Sequence, residues 1–565
     1  MKYSVLADNY EKLEKISAKL EKTRIVAELL KKAPKELLPK VVLLLNGRVF
    51  PSWSEEELGV ANQLMIKSIS KAYGINEKDI VKLFKKTGDL GLTVEELSKK
   101  KKQATLGKKE LIVDKVFENL QLIAKQTGKG SQERKMNLVA ELLSPADLKE
   151  ARYIVRTVLG QLRVGVAEGI IRDSIAKAFD VSPKIVENAW FLNPDYGEIA
   201  KIAKEKGEKG LKGVKIELGK PIKVLLSEKA PSLEDAINSF EEPACEYKYD
   251  GARMLIHKKG DQFWIFTRRL ENVTKAFPDV IEICKKSLKA KECIVDGEAL
   301  AINPKTGRPL PFQKLSQRIK RKYDIRETAK EIPIELNLFD IVYLDGKTFF
   351  DLPLRERRKI LTKVVKEIPG KIQLAKQLIT KDIKKAEKFY KQALKAGQEG
   401  LIVKNLKAKY QPGRRVAGGW LKVKPTLESL DLVIIGATWG TGKRAGWLGS
   451  YILGCRDANT GKFLECGMLG TGVKEKKTNP DDVTFADLTK MLKPNIESEK
   501  GNEIKLKPKI VIEAAYEEIQ KSPTYSSGYA LRFPRLLRVR FDKGPEEADD
   551  LDRIEKIFKK QKGKK

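Results

Sequence analysis

The sequence predicts a chain of three parts: a helical first part, an α/β middle and a small antiparallel barrel at the end. Three observations predict it. Apolar residues recur at helical spacing to about residue 203, as in Leu13, Ile16 and Leu20 and again in Ile25, Val26, Leu29 and Leu30. After about residue 216 short β-type runs alternate with helices as far as Pro425. Beyond Pro425, strand-like runs follow one another.

Each part has its own punctuation. In the first, Ser144-Pro145-Ala146-Asp147 reads as a helix start, with Ser as N-cap, Pro at the first helical position and an acid near the positive end of the dipole. Ser182-Pro183 repeats the device, and Arg152–Phe179 reads as one long amphipathic stretch carrying Arg152, Arg156, Arg163 and Arg172. Lys204–Lys215 is rich in Gly and Lys, lacks a periodic apolar face and reads as a linker. The middle part has strands at Phe263–Thr267, Cys293–Val295 and Glu335–Tyr343, then a helix near Lys381–Ala396 closed by Gly397. The last has strands at Leu432–Thr438, Tyr451–Arg456, Lys462–Met468 and Ile510–Ala515, with Asp457–Gly461 as a hairpin turn. A basic tail, Lys559–Lys565, reads as a solvated end. These breaks set the parts at residues 1–212, 213–425 and 426–565.

Composition narrows the function. The 565 residues include 112 Lys and Arg against 77 Asp and Glu, a formal charge of +35. That excess points to a polyanion, nucleic acid or an acidic membrane surface. Lys and Glu enrichment from a hot environment accounts for the ionic content but not its sign. The longest apolar runs, such as Val41–Leu45, fall far short of the roughly 18 residues of a membrane span, and the first residues show no secretory signal. Five cysteines without a C-x-x-C argue against disulfides and Cys-type zinc sites. His257 is the single histidine, which argues against a Ser-His-Asp triad and against a multi-histidine metal site. A cytoplasmic protein that handles nucleic acid with lysine and carboxylate chemistry remains.

The most informative segment is Glu246-Tyr247-Lys248-Tyr249-Asp250-Gly251-Ala252-Arg253. A lone K-x-D-G is most often a surface turn. The functional reading makes Lys248 a nucleophilic amine at a strand-to-turn edge, with Gly251 allowing close approach and Arg253 supplying a fixed guanidinium for phosphate or ribose. Other segments follow in order: Thr267-Arg268-Arg269, Asp296-Gly297-Glu298 closing a strand, Phe339-Asp340, Glu399-Gly400-Leu401-Ile402-Val403-Lys404 opening a strand, and Trp420-Leu421-Lys422-Val423-Lys424. Taken singly, Glu298 and Glu399 are ordinary surface acids and Phe339 ordinary core.

With these motifs in this order, the chain resembles the covalent nucleotidyltransferases and, among them, the ATP-dependent DNA ligases of the archaeal and eukaryotic replicative kind. The resemblance implies a helical DNA-binding domain, an α/β adenylylation core of ATP-grasp-like type and an OB-fold barrel. Lys248 would attack the α-phosphate of ATP, aided by Lys422 and Lys424. Glu298 and Glu399 would ligate Mg²⁺, with Mn²⁺ as the alternative ion. Glu298 would also contact the ribose. Phe339 would stack on adenine with Glu246 beside it, Arg268 would lie near the ribose, and Arg253 near a nick 5′-phosphate. Of the adjacent Arg414 and Arg415, Arg415 is favoured as the nucleotide contact.

Taken alone, the block Arg532, Arg535, Arg538, Arg540, Asp542 and Lys543 could be a basic edge strand. It resembles the family's final motif, which orients the leaving pyrophosphate. A hinge near Pro425–Asp431 would let the barrel swing onto DNA. Gly160–Gly169 resembles a phosphate-gripping part of the DNA-binding domain. Gln103-Ala104-Thr105-Leu106 sits where relatives carry a sliding-clamp segment but lacks their aromatic pair, so a plain loop reads at least as well.

The implied function is sealing of nicked duplex DNA by a monomer, in replication, repair and recombination, in a thermophilic archaeon. The alternatives are an RNA ligase, a capping guanylyltransferase, an NAD-dependent ligase, which the absent Cys cluster disfavours, and a non-catalytic nucleic-acid binder.

Overall fold

The computed structural model describes residues 1–99, 110–319, 324–413, 418–425, 427–440, 444, 446–479 and 482–561, the side chain of 313 excepted. Gln103, Arg414, Arg415 and the last four residues of the basic tail therefore lie outside the described residues. The chain falls into two compact units, interleaved along the sequence. The first takes Met1–Glu228, Gly251–Ala375 and Asn405–Trp420; the second takes Lys229–Asp250, Lys376–Lys404 and Leu421–Lys565.

The first unit opens with helices from Tyr3–Lys15 to Tyr196–Lys212, which share one core including Leu6, Val42, Val116, Ile154 and Ile199. Three sequence expectations change here. Ser144 closes one helix, and Asp147 caps the next, Leu148–Val158, through a capping box with Glu150; the acid outcompetes the serine because its side chain reaches the Glu150 N–H while Glu150 returns to the Asp147 N–H. The stretch Arg152–Phe179 is two helices, Leu148–Val158 and Glu168–Ala178, because Gly160, Arg163 and Gly165 all adopt left-handed backbone. Lys204–Lys215 is not a linker: the helix Tyr196–Lys212 runs through it, broken at Gly207 and resumed because Leu211 is buried.

The same unit carries an antiparallel sheet in the order Gln262–Thr267, Ala252–Lys259, Glu292–Ala301, Ile334–Leu344, Lys347–Thr348, with Ile372–Leu374 parallel to Ile334–Leu344. The Asp296-Gly297-Glu298 motif lies inside its strand rather than at the end, since apolar residues continue to Ala301. Against Glu292–Ala301, the strand Ile334–Leu344 slips register twice, leaving Val342 and Phe339 as the extra residues of two bulges.

In the second unit, but for the end residues Trp420 and Asn405, strands Trp420–Val423, Gly400–Asn405, Pro243–Lys248 and Gln377–Ile379 are neighbours in that order. The remaining residues form a strand-rich region. Leu430–Trp439 pairs with Leu448–Arg456 on one side and with Glu503–Leu506 and Val511–Ala515 on the other. The hairpin turn Asp457–Gly461 is present, its Asp457 side chain accepting from Asn459 N–H and Thr460. The tail is partly helical, in Leu551–Lys560, because Ile554 and Ile557 pack on the barrel core.

All five cysteines are buried and unbridged. Burial pulls the fully enclosed His257 down to about 3, so it is neutral. Among the described residues no helix is long and apolar enough to cross a membrane.

Candidate active site

Lys248 ends the strand Pro243–Lys248, and the turn behind it is gripped from the neighbouring segment. The Glu399 N–H donates to the Lys248 carbonyl at 2.9 Å, and the Asp250 N–H donates to the Gln398 side chain at 3.1 Å. Gly400 follows at φ +141°, where a Cβ would stand 2.2 Å from the Val423 carbonyl oxygen. Only glycine lets the Glu399 strand approach the Lys422–Lys424 segment this closely.

The side chains then converge. Glu399 Oε2 lies 2.8 Å from Lys248 Nζ and 2.7 Å from Lys424 Nζ, and Lys424 also reaches Glu517 at 3.2 Å. Burial works against the Glu399 charge, but the two ammoniums prevail and hold its carboxyl down at about 2. Lys424 moves the other way: burial opposes its charge, and Glu399 with Glu517 raises it above the ordinary range. Lys422 lies half-buried on the strand Trp420–Val423, and its carbonyl accepts from Ala230 N–H at 3.1 Å. A cavity of about 440 Å³ opens beside these groups, lined among others by Glu399, Lys424, Glu517, Arg532, Lys556 and Lys560.

Glu246, two residues before the lysine, is buried with Lys404. Their charged atoms are 2.5 Å apart, and Gln377 donates to the other carboxylate oxygen at 2.8 Å. Sequence reasoning quoted Lys404 without giving it a role and missed Glu517; only folding shows that a lysine four residues beyond Gly400 meets Glu246 across the sheet.

The first unit holds Arg253, Arg268, Glu298 and Phe339. Arg253 opposes Glu298 across the sheet. Its guanidinium is engaged by buried Asp296 at 2.9 and 2.5 Å rather than open to solvent. Burial disfavours that charge, yet Asp296 more than restores it and raises the guanidinium above its ordinary range. Phe339 is buried edge-on to Trp420, ring centroids 5.6 Å apart, with the Arg253 guanidinium 5.4 Å from the Phe339 ring. The bulge turns this residue out of the ladder's alternation, which gives the Phe its placement. Arg268 is exposed on the turn after Gln262–Thr267. Gly251 serves backbone packing rather than substrate approach: its Cβ would meet the Ala299 carbonyl oxygen at 2.2 Å.

Of the final motif, Arg532 reaches the cavity and lies 3.8 Å from Glu518. Arg535 is exposed on the strand Arg535–Val539, and Arg538 pairs with Glu513 at 2.7 Å. Arg540 bridges Asp431 and Asp542, and Lys543 joins Asp431 at 2.7 Å. In the helical part, Arg152, Arg156 and Arg172 are held by Glu14, Glu95, Asp89, Asp173 and Glu187, so they brace helices. Arg163 is more than half exposed, on the loop between two helices.

An ionised Glu399 and a half-buried Glu298 are hard oxygen donors of the kind that suits a small divalent cation. Among the described residues no three His, Cys, Asp or Glu cluster as a cage. A cation bound by either carboxylate would complete its shell with water and phosphate oxygens.

Comparison with known proteins agrees along the whole length. Residues 2–176 match the model of the DNA ligase N terminus, 224–424 the ATP dependent DNA ligase domain, and 444–543 the ATP dependent DNA ligase C terminal region. The chain is 50% identical to a DNA ligase of Nanoarchaeum equitans, covering 100% of this chain and 99% of that protein. It is 48% identical to a DNA ligase of Thermococcus onnurineus, covering 99% and 98%. The solved structure titled Pmar-Lig_Pre. shares the fold, with 16% identity, a TM-score of 0.56 and coverage of 95% of this chain and 99% of that one.

Proposed function

Since the chain belongs to the ATP-dependent DNA ligase family and shares that family's activity, we propose that it seals nicks in duplex DNA through an adenylate carried on Lys248. Residues 1–212 are assigned to DNA binding, 213–425 to adenylylation and 426–565 to an OB-fold domain. The enzyme is read as a cytoplasmic monomer acting in replication, repair and recombination.

The observation that carries this reading is the cluster in which Glu399 meets both Lys248 and Lys424. Attack requires a neutral amine: the Lys248 Nζ–P bond forms, the bond from the α-phosphorus to the bridging oxygen breaks, and pyrophosphate leaves. A carboxylate as acidic as Glu399 is a poor proton acceptor, so its part is to aim the lysine while the proton leaves by another route. Lys424, kept cationic by its two carboxylates, opposes the charge that develops on the α-phosphate. Mg²⁺, or Mn²⁺ in its place, held by Glu399 and Glu298, would neutralise phosphate charge. Glu246, Arg268, Phe339 and Arg415 are assigned to the nucleotide, with Arg414 beside them. Arg253 is assigned to the nick 5′-phosphate, and Arg532 and Arg535 to pyrophosphate and DNA. In the later steps AMP passes to the nick 5′-phosphate, and the 3′-hydroxyl then attacks and releases AMP.

The test is to incubate the protein with Mg²⁺ and ATP labelled on the α-phosphate, then chase with a nicked duplex. Label that forms on wild type, leaves as the nick closes and never forms on Lys248→Ala supports the reading. Label that nicked DNA does not discharge would move the substrate to RNA.

A further inference from the structure

Arg253 belongs to a closed ring of buried hydrogen bonds. Its Nε donates to Asp296 Oδ1 at 2.9 Å and its Nη2 to Asp296 Oδ2 at 2.5 Å. The Tyr410 hydroxyl donates to the same Oδ2 at 3.1 Å and accepts from Leu225 N–H at 3.2 Å. Arg253 Nη1 closes the circuit on the Leu225 carbonyl at 2.5 Å. Asp296 and Leu225 are fully buried and Tyr410 nearly so. The ring ties four places together: the segment entering the middle part, the strands Ala252–Lys259 and Glu292–Ala301, and the approach to Gly413.

We propose that Tyr410 is a positioning residue for Arg253, a role that rests on the ligase reading of this site. By fixing Asp296 it holds the guanidinium against the rings of Phe339 and Trp420, 5.4 and 5.3 Å from their centroids. A guanidinium has five N–H groups. The ring uses three of them, one each on Nε, Nη1 and Nη2, and leaves two, both aimed by the ring, for a phosphate. Without the hydroxyl, Asp296 Oδ2 loses a donor and Leu225 N–H an acceptor, so both partners of Arg253 gain freedom. Burial, reinforced by Asp296, keeps the Tyr410 hydroxyl protonated and therefore a donor. The Tyr410 ring packs separately, 5.8 Å from Phe350 and beneath Arg357, so Tyr410→Phe preserves the packing while breaking the ring.

The experiment separates the steps in the full chain. Lys248 adenylylation is timed with α-labelled ATP, and AMP transfer is timed by mixing preadenylylated protein with a nicked duplex in a single turnover. Tyr410→Phe is expected to slow AMP transfer about tenfold while lysine adenylylation stays within about twofold, a small misplacement of one phosphate ligand being enough. Wild-type rates in both steps would overturn the proposal, as would an equal fall in both steps with a lowered Tm, the mark of packing alone. Asp296→Asn reads the same split should Tyr410→Phe fold poorly. A wild type that takes no label would overturn the ligase reading, and this role with it.

Discussion

Glu399 holds Lys248 twice. Its backbone N–H donates to the Lys248 carbonyl at 2.9 Å, and its carboxylate lies 2.8 Å from the Lys248 ammonium. One residue thereby fixes both the main chain and the side chain of the nucleophile.

That grip has a pH signature. A carboxyl whose folded pKa of about 2 lies below its ordinary 4.5 stabilises the fold fully above the higher value, and the contribution is lost as pH falls through the lower one. The unfolding free energy of wild type, read from urea melts at pH 6, should exceed that of Glu399→Gln by about 3 kcal/mol. The gap should close between about pH 4.5 and 2. A gap that widens on acidification would contradict the assigned direction.

The buried pair of Glu246 and Lys404 makes a sharper stability test. Removing either charge strands the other, so Lys404→Met or Glu246→Gln alone should cost about 3–5 kcal/mol. Combining them should recover most of that loss. Urea melts of the two single variants and the double variant give the coupling directly.

Two glycines three residues apart should behave differently. Gly400→Ala meets the Val423 carbonyl oxygen at 2.2 Å, whereas Gly397, also at positive φ, has open space around its missing Cβ. Gly400→Ala should cost at least about 2 kcal/mol and depress lysine labelling. Gly397→Ala should cost about 1 kcal/mol and label normally. Thermal melts beside the labelling assay compare them.

On the basic edge strand, Arg535 is exposed whereas Arg538 is paired with Glu513. If Arg535 contacts a DNA phosphate, Arg535→Ala should flatten the log–log dependence of nick affinity on salt by about 0.9. Arg538→Ala should flatten it less. Fluorescence anisotropy titrations across a salt series measure both slopes.

The order of the parts and the motifs around Lys248, Glu399 and Lys424 were legible because local patterning carries them, but the contact of Glu399 with both lysines was not, since Lys248 and Glu399 lie about 150 residues apart. What stayed hidden depends on distant residues. The helix through Lys204–Lys215 survives its glycines because Leu211 finds a core, which propensity does not register. Arg152 and Arg156 read as basic residues of one amphipathic stretch, and their shared partner Glu14, far away in the chain, shows only in the fold. Arg253 showed itself as a guanidinium in the sequence, but its partners Asp296, Tyr410 and Leu225 come from three separate segments.

The two slips between Glu292–Ala301 and Ile334–Leu344 also constrain how this strand can change length. Each slip moves the pairing by one residue, and together they amount to one full pleat. Residues beyond both slips regain the face they would have had without either, while Asp340 and Ile341 between them are reversed, which turns Asp340 toward Arg357 at 2.8 Å. Deleting a single residue would therefore invert one half of the strand against its partner. A tolerated change of length must come as a compensated pair, so this strand should evolve in steps of two.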